Sequence, residues 1–156
     1  MSDIYSMPGH LIRRLHQIST SVFADHMKAA GSDITSPQFA ALRMLRDNPG
    51  IDQATLAGLI ALDRPTMGGI IDRLSAKGWV ERRVNPTDRR ARVLTLTPEG
   101  AALLAKLEPA VALVQEDTLP GLSNEERSEF VRLVRKVVES GNSLARAPLI
   151  LPGQTD

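Results

Sequence analysis

The chain has 156 residues, 42% of them hydrophobic but only 3% aromatic, so its core must be mainly aliphatic, which favours helices over a β-sandwich or barrel. It contains no cysteine, which excludes disulfides, thiol nucleophiles, thiol redox sensing and cysteine-ligated metals. The formal net charge is only +1, but residues 36–97 carry ten Lys and Arg against six Asp and Glu, a local excess of +4 that is typical of proteins that bind a polyanion.

The first two helices are predicted from apolar spacing and from turn residues. One runs from about Pro8 to Ala30, where apolar residues recur every three or four positions. The next begins at Ser36, which suits the N-cap, with Pro37 at the first helical position. It ends at the turn formed by residues 48–50.

Two shorter helices and a hairpin follow. Asp52 is placed to cap a short helix, and a longer helix begins near Asp63 or Arg64 and ends at Lys77-Gly78. The chain then becomes β-branched in two short segments, residues 79–84 and 92–97. The turn-rich residues 85–90 between these segments predict a hairpin tip.

The last two helices have clear start signals. Thr97-Pro98 is an N-cap followed by a first-position proline, and Ser123 and Glu126 have the spacing of a capping box. Beyond Ala147 two prolines and a glycine predict an irregular tail.

The predicted fold is mainly α with a small β-wing. It has four parts: an N-terminal dimerisation helix in 1–34, a winged helix-turn-helix domain in 35–97, dimerisation helices in 98–147 and the tail in 148–156. The flanking helices carry long apolar stripes that the small middle domain cannot cover, so we expect a homodimer. A monomeric helical bundle is the alternative.

Recognition of DNA is predicted for the helix that begins at Arg64. Its N-terminal end is where such helices touch base edges, and arginine pairs with guanine more often than any other side chain. We expect Pro65 and Thr66 to lie beside Arg64 at the bases, and Arg73 to meet phosphate. Gly69, next to another glycine inside the helix, indicates close approach either to the groove or to a neighbouring helix.

The hairpin carries five arginines: Arg82, Arg83, Arg89, Arg90 and Arg92. We expect Arg89, Arg90 and Arg92 to reach the flanking minor groove, whose narrow stretches attract arginine. Asp88 would be repelled by phosphate, so it is expected to brace the turn or a neighbouring arginine. Backbone N–H groups near Ser36 and Gln53 at helix starts are further candidate phosphate contacts.

These segments resemble the MarR family of bacterial winged-helix regulators. The resemblance spans roughly residues 8–145, and its most specific part is the wing. The matching segments are Asp52-Gln53-Ala54-Thr55-Leu56-Ala57, Leu62-Asp63-Arg64-Pro65-Thr66, Ile71-Asp72-Arg73-Leu74, Lys77-Gly78, Arg82-Arg83, Asn85-Pro86-Thr87-Asp88-Arg89-Arg90-Ala91 and Leu94-Thr95-Leu96-Thr97-Pro98-Glu99-Gly100. The family's Asp-x-Arg wing signature falls on Asp88 and Arg90.

The resemblance implies an interlocked homodimer that binds double-stranded DNA at a pseudo-palindromic operator. It also implies repression that is released by a small effector, often an aromatic carboxylate or a phenolic compound. His10 and Arg14, one helical turn apart, and the adjacent Arg13 are candidate anchors for such a carboxylate, although they also fit surface or dimer contacts.

Other functions find less support in the sequence. His16 and His26 lack metal-ligand spacing, and neither a metal site nor a cofactor is expected. The sequence has neither a glycine-rich phosphate-binding loop nor a nucleophile beside a base, so it does not indicate an enzyme. A winged-helix module that binds proteins but not DNA is the main alternative. The N-terminus has no signal-peptide pattern and no apolar run is long enough for a membrane span, so we expect a cytoplasmic protein.

Overall fold

A computed structural model describes residues 3–154 of the chain. Within that range lie six α-helices and a two-stranded hairpin, which confirms the predicted mainly α fold with a β-wing. The helices are α1 (Pro8–Ala29), α2 (Ser36–Asp47), α3 (Gln53–Leu59), α4 (Arg64–Ala76), α5 (Pro98–Asp117) and α6 (Asn124–Ser140). Short 3-10 helices occupy Ile4–Ser6 and Asn142–Leu144.

The wing is formed by β1 (Val80–Val84) and β2 (Arg92–Leu96), which pair antiparallel with Val80 opposite Leu96. Residues before α3 extend this hairpin on its other edge. The N–H of Leu94 donates to the carbonyl of Ile51 at 2.9 Å, and Asp52 forms an isolated bridge with Val93. The wing is therefore tied to the start of the helix-turn-helix as well as to its end.

Four helices begin at capping side chains, three of which, Asp52, Thr97 and Ser123, were predicted as caps. The side chains of Asp52, Asp63, Thr97 and Ser123 each accept a hydrogen bond from a backbone N–H in the first turn that follows. Glu126 returns a bond to the N–H of Ser123, which completes the predicted capping box. Each cap satisfies helix N–H groups that have no partner within the helix.

The start of α2 differs from the prediction. Ser36 is the first helical residue, and the N-cap is Thr35. The Thr35 hydroxyl accepts from the N–H of Gln38, while the Gln38 side chain accepts from the N–H of Thr35 at 3.0 Å. This reciprocal pair selects Thr35, because Gln38 has the three-residue spacing that a capping box needs.

One aliphatic core holds the winged domain to α1 and α5. Phe23 and Met27 of α1 are buried with Leu104 and Leu107 of α5 in the same cluster as the inner faces of α2, α3 and α4. Leu94 brings β2 into that cluster. The winged domain is thereby fixed against the parts of α1 and α5 nearest to it.

The far parts of the flanking helices remain uncovered in a single chain. None of the residues of α6 is buried, although its apolar face is continuous. Large apolar side chains stand exposed on α1 and α6: Leu11, Ile12, Ile18, Val131, Leu133, Val134, Val137 and Val138. The long apolar stripes predicted from the sequence thus stay solvent-exposed in the isolated chain.

Candidate nucleic-acid interface and ligand cavity

Four of the residues predicted to bind DNA line one small cleft. Gln53 at the start of α3, Arg64 at the start of α4, and Arg90 and Arg92 of the wing surround a volume of about 200 Å³. We call this the arginine cleft. Its position between two helix starts and a hairpin brings together side chains that are up to 39 positions apart in the sequence.

The start of α4 is built to expose its first turn. The backbone N–H and the hydroxyl of Thr66 both donate to the Asp63 carboxylate, at 2.8 and 2.9 Å. These bonds lower the pKa of Asp63 below its ordinary value, first through the backbone N–H and then through the hydroxyl. Arg64, Pro65 and Thr66 are all exposed, so the predicted base-reading end of the helix faces outward.

The buried face of α4 fixes which side chains point outward. Met67, Ile70, Ile71 and Leu74 are buried, as their helical spacing indicates. Gly69, Asp72 and Arg73 lie on the exposed face. The helix therefore presents a polar surface that begins at Arg64 and continues to Arg73.

The two glycines of α4 have different surroundings. A Cβ at Gly68 would lie 3.6 Å from the amide nitrogen of Gln53, so Gly68 is the point where α4 packs against α3. A Cβ at Gly69 would meet nothing within 4 Å. Of the two alternatives left open by the sequence, helix packing explains Gly68, whereas Gly69 leaves bare backbone on the outer face.

Replacing Gly69 with alanine is expected to separate stability from DNA binding. Alanine favours an α-helix by about 1 kcal/mol over glycine, so the thermal midpoint should rise. The added methyl group would keep the backbone from a groove wall, and we expect operator affinity to fall about tenfold, or about 1.4 kcal/mol.

Thermal unfolding and fluorescence anisotropy with labelled duplex would measure the two effects. Gly9→Ala is the matched control, because a Cβ at this helical glycine also meets nothing within 4 Å but lies far along the chain in α1. A Gly69→Ala protein that binds DNA as tightly as the native protein would show that the outer face of α4 needs no close approach.

The wing tip is braced by Asp88 and Asn85. The Asp88 carboxylate accepts from the N–H of Arg90 at 3.0 Å, and its carbonyl accepts from the N–H of Ala91. The Asn85 side chain accepts from the N–H and the hydroxyl of Thr87. Asp88 therefore braces the turn through its backbone N–H groups and forms no ion pair with the guanidinium of Arg90 in residues 3–154.

The wing arginines divide into two groups. Within residues 3–154 the guanidinium groups of Arg89 and Arg90 make no hydrogen bond or ion pair, so they are available to a partner. The Arg92 guanidinium donates to the carbonyl of Arg89 at 2.9 Å and supports the tip. Arg82 forms an ion pair at 2.7 Å with Asp72, which joins the wing to α4. This link could not be predicted from the sequence, because nothing in the chain order pairs residues of separate elements.

The other predicted DNA residues lie elsewhere. Ser36, Thr66 and Arg73 line a much larger cavity of about 1140 Å³ between α1, α2, α4 and α5. We call this the interhelical cavity. Thr66 and Arg73 belong to the polar surface of α4 and also border the cavity, so one helix contributes to both sites.

The walls of the interhelical cavity combine apolar surface with polar and charged side chains. Its lining includes two aromatic rings, Phe23 and Phe39, whose centroids are 6.3 Å apart in an edge-to-face arrangement. Polar and charged side chains also line it: His16, Ser19, Thr20, Lys28, Ser32, Asp33, Thr35, Ser36, Gln38, Arg43, Thr66, Arg73, Gln115 and Thr118. Sites for small organic ligands combine apolar surface with polar groups that orient the ligand.

The three predicted carboxylate anchors do not line this cavity. His10 and Arg13 contact one another, with 3.5 Å between a guanidinium nitrogen and Nδ1. The His10 ring also meets the edge of Tyr5, at 5.7 Å between centroids. His10, Arg13 and Arg14 instead lie near the exposed N-terminal end of α1.

No group of three or more His, Asp or Glu among residues 3–154 is arranged to hold a metal ion. His26 pairs with Asp117 at 2.7 Å, which joins α1 to α5 beside the cavity. In the described part of the chain, no helix combines the length and the apolar character that crossing a membrane requires.

Comparison with known proteins gives consistent matches. The family model described as the MarR family matches residues 34–91. The HTH-type transcriptional repressor NicR of Pseudomonas putida is 36% identical over 138 residues, 88% of this chain and 86% of that protein.

Solved structures of similar proteins cover nearly the whole fold. The regulator PcaV of Streptomyces coelicolor, crystallised with its natural ligand, has a TM-score of 0.82 at 32% identity and covers 90% of this chain and 98% of its own. BpsR of Bordetella bronchiseptica, whose DNA binding is regulated by 6-hydroxynicotinic acid, has a TM-score of 0.82 at 32% identity and covers 89% and 98%. The exposed recognition helix, the arginine wing and these similarities lead to one conclusion: the chain belongs to the MarR family of winged-helix transcriptional regulators.

Proposed function

We propose that this chain is a dimeric repressor that binds a pseudo-palindromic DNA operator and releases it when a small aromatic acid occupies the interhelical cavity. The observation that carries the proposal is that Thr66 and Arg73 border that cavity while their helix also starts at the arginine cleft. A ligand in the cavity would touch the helix that reads the DNA. Since its target is the genome of the cell, the protein would work in the cytoplasm.

The contacts with DNA follow from the two exposed basic elements. Arg64, with Pro65, Thr66 and Gly69, would face base edges in the major groove, where arginine recognises guanine. Arg89, Arg90 and Arg92 would follow the adjacent minor groove. Arg73 and the backbone N–H groups near Ser36 and Gln53 would hold phosphates and fix the register.

A dimer would cover the exposed apolar surfaces. In the proposed division, residues 1–34 and 98–147 form the dimerisation region and residues 35–97 form the DNA-binding domain. The apolar face of α6 has no cover within its own chain, and Val137 is 66% exposed. A second copy, placed with two-fold symmetry, would bury this face and would bring two winged domains to two half-sites.

Val137→Glu is expected to convert the dimer into monomers. A carboxylate at the centre of an apolar interface is buried without a partner, which costs several kcal/mol. Light scattering after size-exclusion chromatography would measure the mass. Ser128→Glu adds the same charge on the exposed polar face of α6 and should leave the dimer intact. Dimers in both variants would exclude α6 as the interface.

The chemistry of the cavity and the ligands of similar proteins support the proposal that a small aromatic acid binds there. An aromatic ring would pack against Phe23 and Phe39, and a carboxylate would accept a hydrogen bond from His16 or pair with Arg43 at the wall. BpsR, similar in structure, responds to 6-hydroxynicotinic acid. His10, Arg13 and Arg14 remain a second proposed anchor at the other end of α1.

The test is release of a labelled duplex by added acids. The duplex would be selected by the native protein from random sequences, and the probes would be 6-hydroxynicotinic acid and hydroxybenzoic acids. A ligand that couples two sites by 1–3 kcal/mol weakens DNA binding about 5- to 150-fold. We expect saturating ligand to have an effect of this size.

Two histidine variants would distinguish the anchors. His16→Ala should abolish release while leaving DNA binding in the absence of ligand unchanged. His10→Ala should behave in the same way only if the carboxylate binds at the N-terminal end of α1. If added acid still releases the duplex from both variants, neither histidine anchors the ligand.

The same selection separates the proposal from its alternative. A winged-helix module that binds only proteins would enrich no DNA sequence and would show no salt-dependent affinity for duplex. Affinity that falls steeply with salt is expected for the proposed function, because several arginines displace counterions from phosphates.

A further inference from the structure

The chain after α6 returns to the helix-turn-helix. The N–H of Ile150 donates to the carbonyl of Gly58 in α3 at 2.9 Å. We call residues 142–150 the C-terminal strap. It joins the end of the exposed helix α6 to the first helix of the DNA-binding motif.

The strap is closed on itself by one side chain. The amide of Asn142 donates to the carbonyl of Leu149 at 2.9 Å, and its oxygen accepts from the N–H of Leu149 at 2.8 Å. The two polar groups of the Asn142 side chain thus hold the backbone of Leu149, seven residues later, close to Asn142. Such a reciprocal pair orients the next residue, Ile150, towards α3.

The strap packs closely on α3 at a glycine. A Cβ at Gly58 would lie 3.1 Å from the Cβ of Ile150 and 3.6 Å from its carbonyl oxygen. Ile150 is half-buried there. The strap therefore packs closely on α3, at a position that a larger residue would obstruct.

The continuation of the strap reaches the edge of the DNA-binding surface. Residues 151–154 and Ile150 line a cleft of about 350 Å³ together with Ala54 and Thr55. Ala54 also lines the arginine cleft. The C-terminal segment thus follows the outer face of α3 from Gly58 towards the residues that surround Arg64 and Arg90.

We propose that the C-terminal strap positions α3, and through it the recognition helix α4, relative to α6, with Asn142 and Ile150 as positioning residues for operator binding. This proposal rests on the proposed function, since α6 becomes a fixed reference only within a dimer. The packing of Gln53 on Gly68 transmits the position of α3 to α4. Two recognition helices must match half-sites at a set spacing, so a loosened α3 lowers specific binding.

Specific and non-specific binding should respond differently. Non-specific affinity depends on the number of basic side chains near phosphates and tolerates changes in their placement. Specific affinity needs both recognition helices in register. Loss of the strap should therefore lower the ratio of operator affinity to affinity for random duplex, which a partly unfolded protein would not do selectively.

The experiment compares Asn142→Ala with Ser143→Ala in the full-length dimer. Ser143 is the exposed neighbour and serves as the control. Hydrogen exchange would follow the amide of Ile150, and anisotropy would measure affinity for the selected operator and for random duplex. We expect Asn142→Ala to expose the Ile150 amide, keep the dimer and lower the specificity ratio about 5-fold or more. Asn142→Asp, which keeps the acceptor for Leu149, should recover part of the loss.

Three results would overturn the proposal. One is an Ile150 amide that exchanges freely in the native protein, since the strap would then not be seated. Another is a specificity ratio unchanged after Asn142→Ala has freed that amide. If Asn142→Ala fails to fold, Ile150→Ala replaces it, and an unchanged ratio there has the same meaning. A native protein that protects Ile150 but binds no DNA would instead contradict the proposed function, so the two failures are distinguishable.

Discussion

Replacing Arg64 with alanine is expected to lower affinity for the selected operator by about 5- to 150-fold, which is the 1–3 kcal/mol of a bidentate arginine–guanine pair. Arg64 is exposed at the first residue of α4, beside Gln53 and Arg90 in the arginine cleft. Its loss should also relax the preference for one base pair in each half-site. Repeating the selection from random sequences with the variant would measure that change directly.

Arg90→Ala should produce a different pattern. A wing residue that follows groove shape and phosphate contributes to every duplex, so affinity should fall for operator and random DNA alike and the salt dependence should become shallower. Lys106→Ala is the control, because Lys106 is an exposed cation of α5 that lines neither the arginine cleft nor the interhelical cavity. Equal, small effects of all three substitutions would mean that these arginines contribute only diffuse charge.

Local signals in the sequence predicted the elements of the fold well. A carboxylate or hydroxyl just before an apolar run satisfies helix N–H groups within one turn, so Asp52, Asp63 and Thr97 were recognisable from neighbours three residues away. The same reasoning failed between Thr35 and Ser36. Both residues can cap, and the decisive partner was Gln38, whose side chain returns a bond only to Thr35.

The sequence proposed residues for the DNA surface but did not predict how they are arranged. Arg64 and Arg90 were recognised from the character of their elements, yet their common cleft depends on how the wing lies against α3 and α4. That arrangement is held by the ion pair of Arg82 with Asp72 and by the strand-like contact of Ile51 with Leu94. Pairs of this kind join positions that no local pattern relates.

The interhelical cavity and the C-terminal strap could not be predicted from the sequence either, because both depend on contacts between distant positions. The cavity draws its walls from four helices, and the stripe residues of α1 gave no sign of which ones face it. The tail was correctly predicted to be irregular up to Gln154, and its last two residues lie outside the described residues. That an irregular segment would bond to Gly58 follows only from the path that α6 gives it.

Gly100→Ala is expected to destabilise the fold strongly. A Cβ at this position would lie 2.2 Å from the carbonyl oxygen of Trp79 and 2.8 Å from a methyl group of Leu96. The carbonyl cannot move away freely, because it accepts the N–H of Thr97 at 3.0 Å. The backbone at Trp79 and the first turn of α5 would have to separate. The wing would then lose its packing against α5.

Two opposing effects on the free energy of unfolding determine the expected loss of stability. Overpacking costs about 3 kcal/mol when backbone must shift, and the preference of helices for alanine over glycine returns about 1 kcal/mol. A net loss of about 2 kcal/mol corresponds to a thermal midpoint lower by roughly 4–8 °C for a chain of this size. Calorimetry would measure it, with Gly9→Ala as the helical glycine that has open space around its Cβ position.

The thermal midpoint of Gly100→Ser should be lower than that of Gly100→Ala, because the serine hydroxyl adds volume where the Cβ already clashes. If Gly100→Ala melts at or above the temperature of Gly9→Ala, then Trp79 and α5 do not approach one another as closely as this geometry requires. DNA affinity of the folded fraction gives an independent check. A wing displaced from α5 should weaken the contribution of Arg90. Arg64, at the start of α4 that Asp63 caps, should keep its selectivity for base sequence.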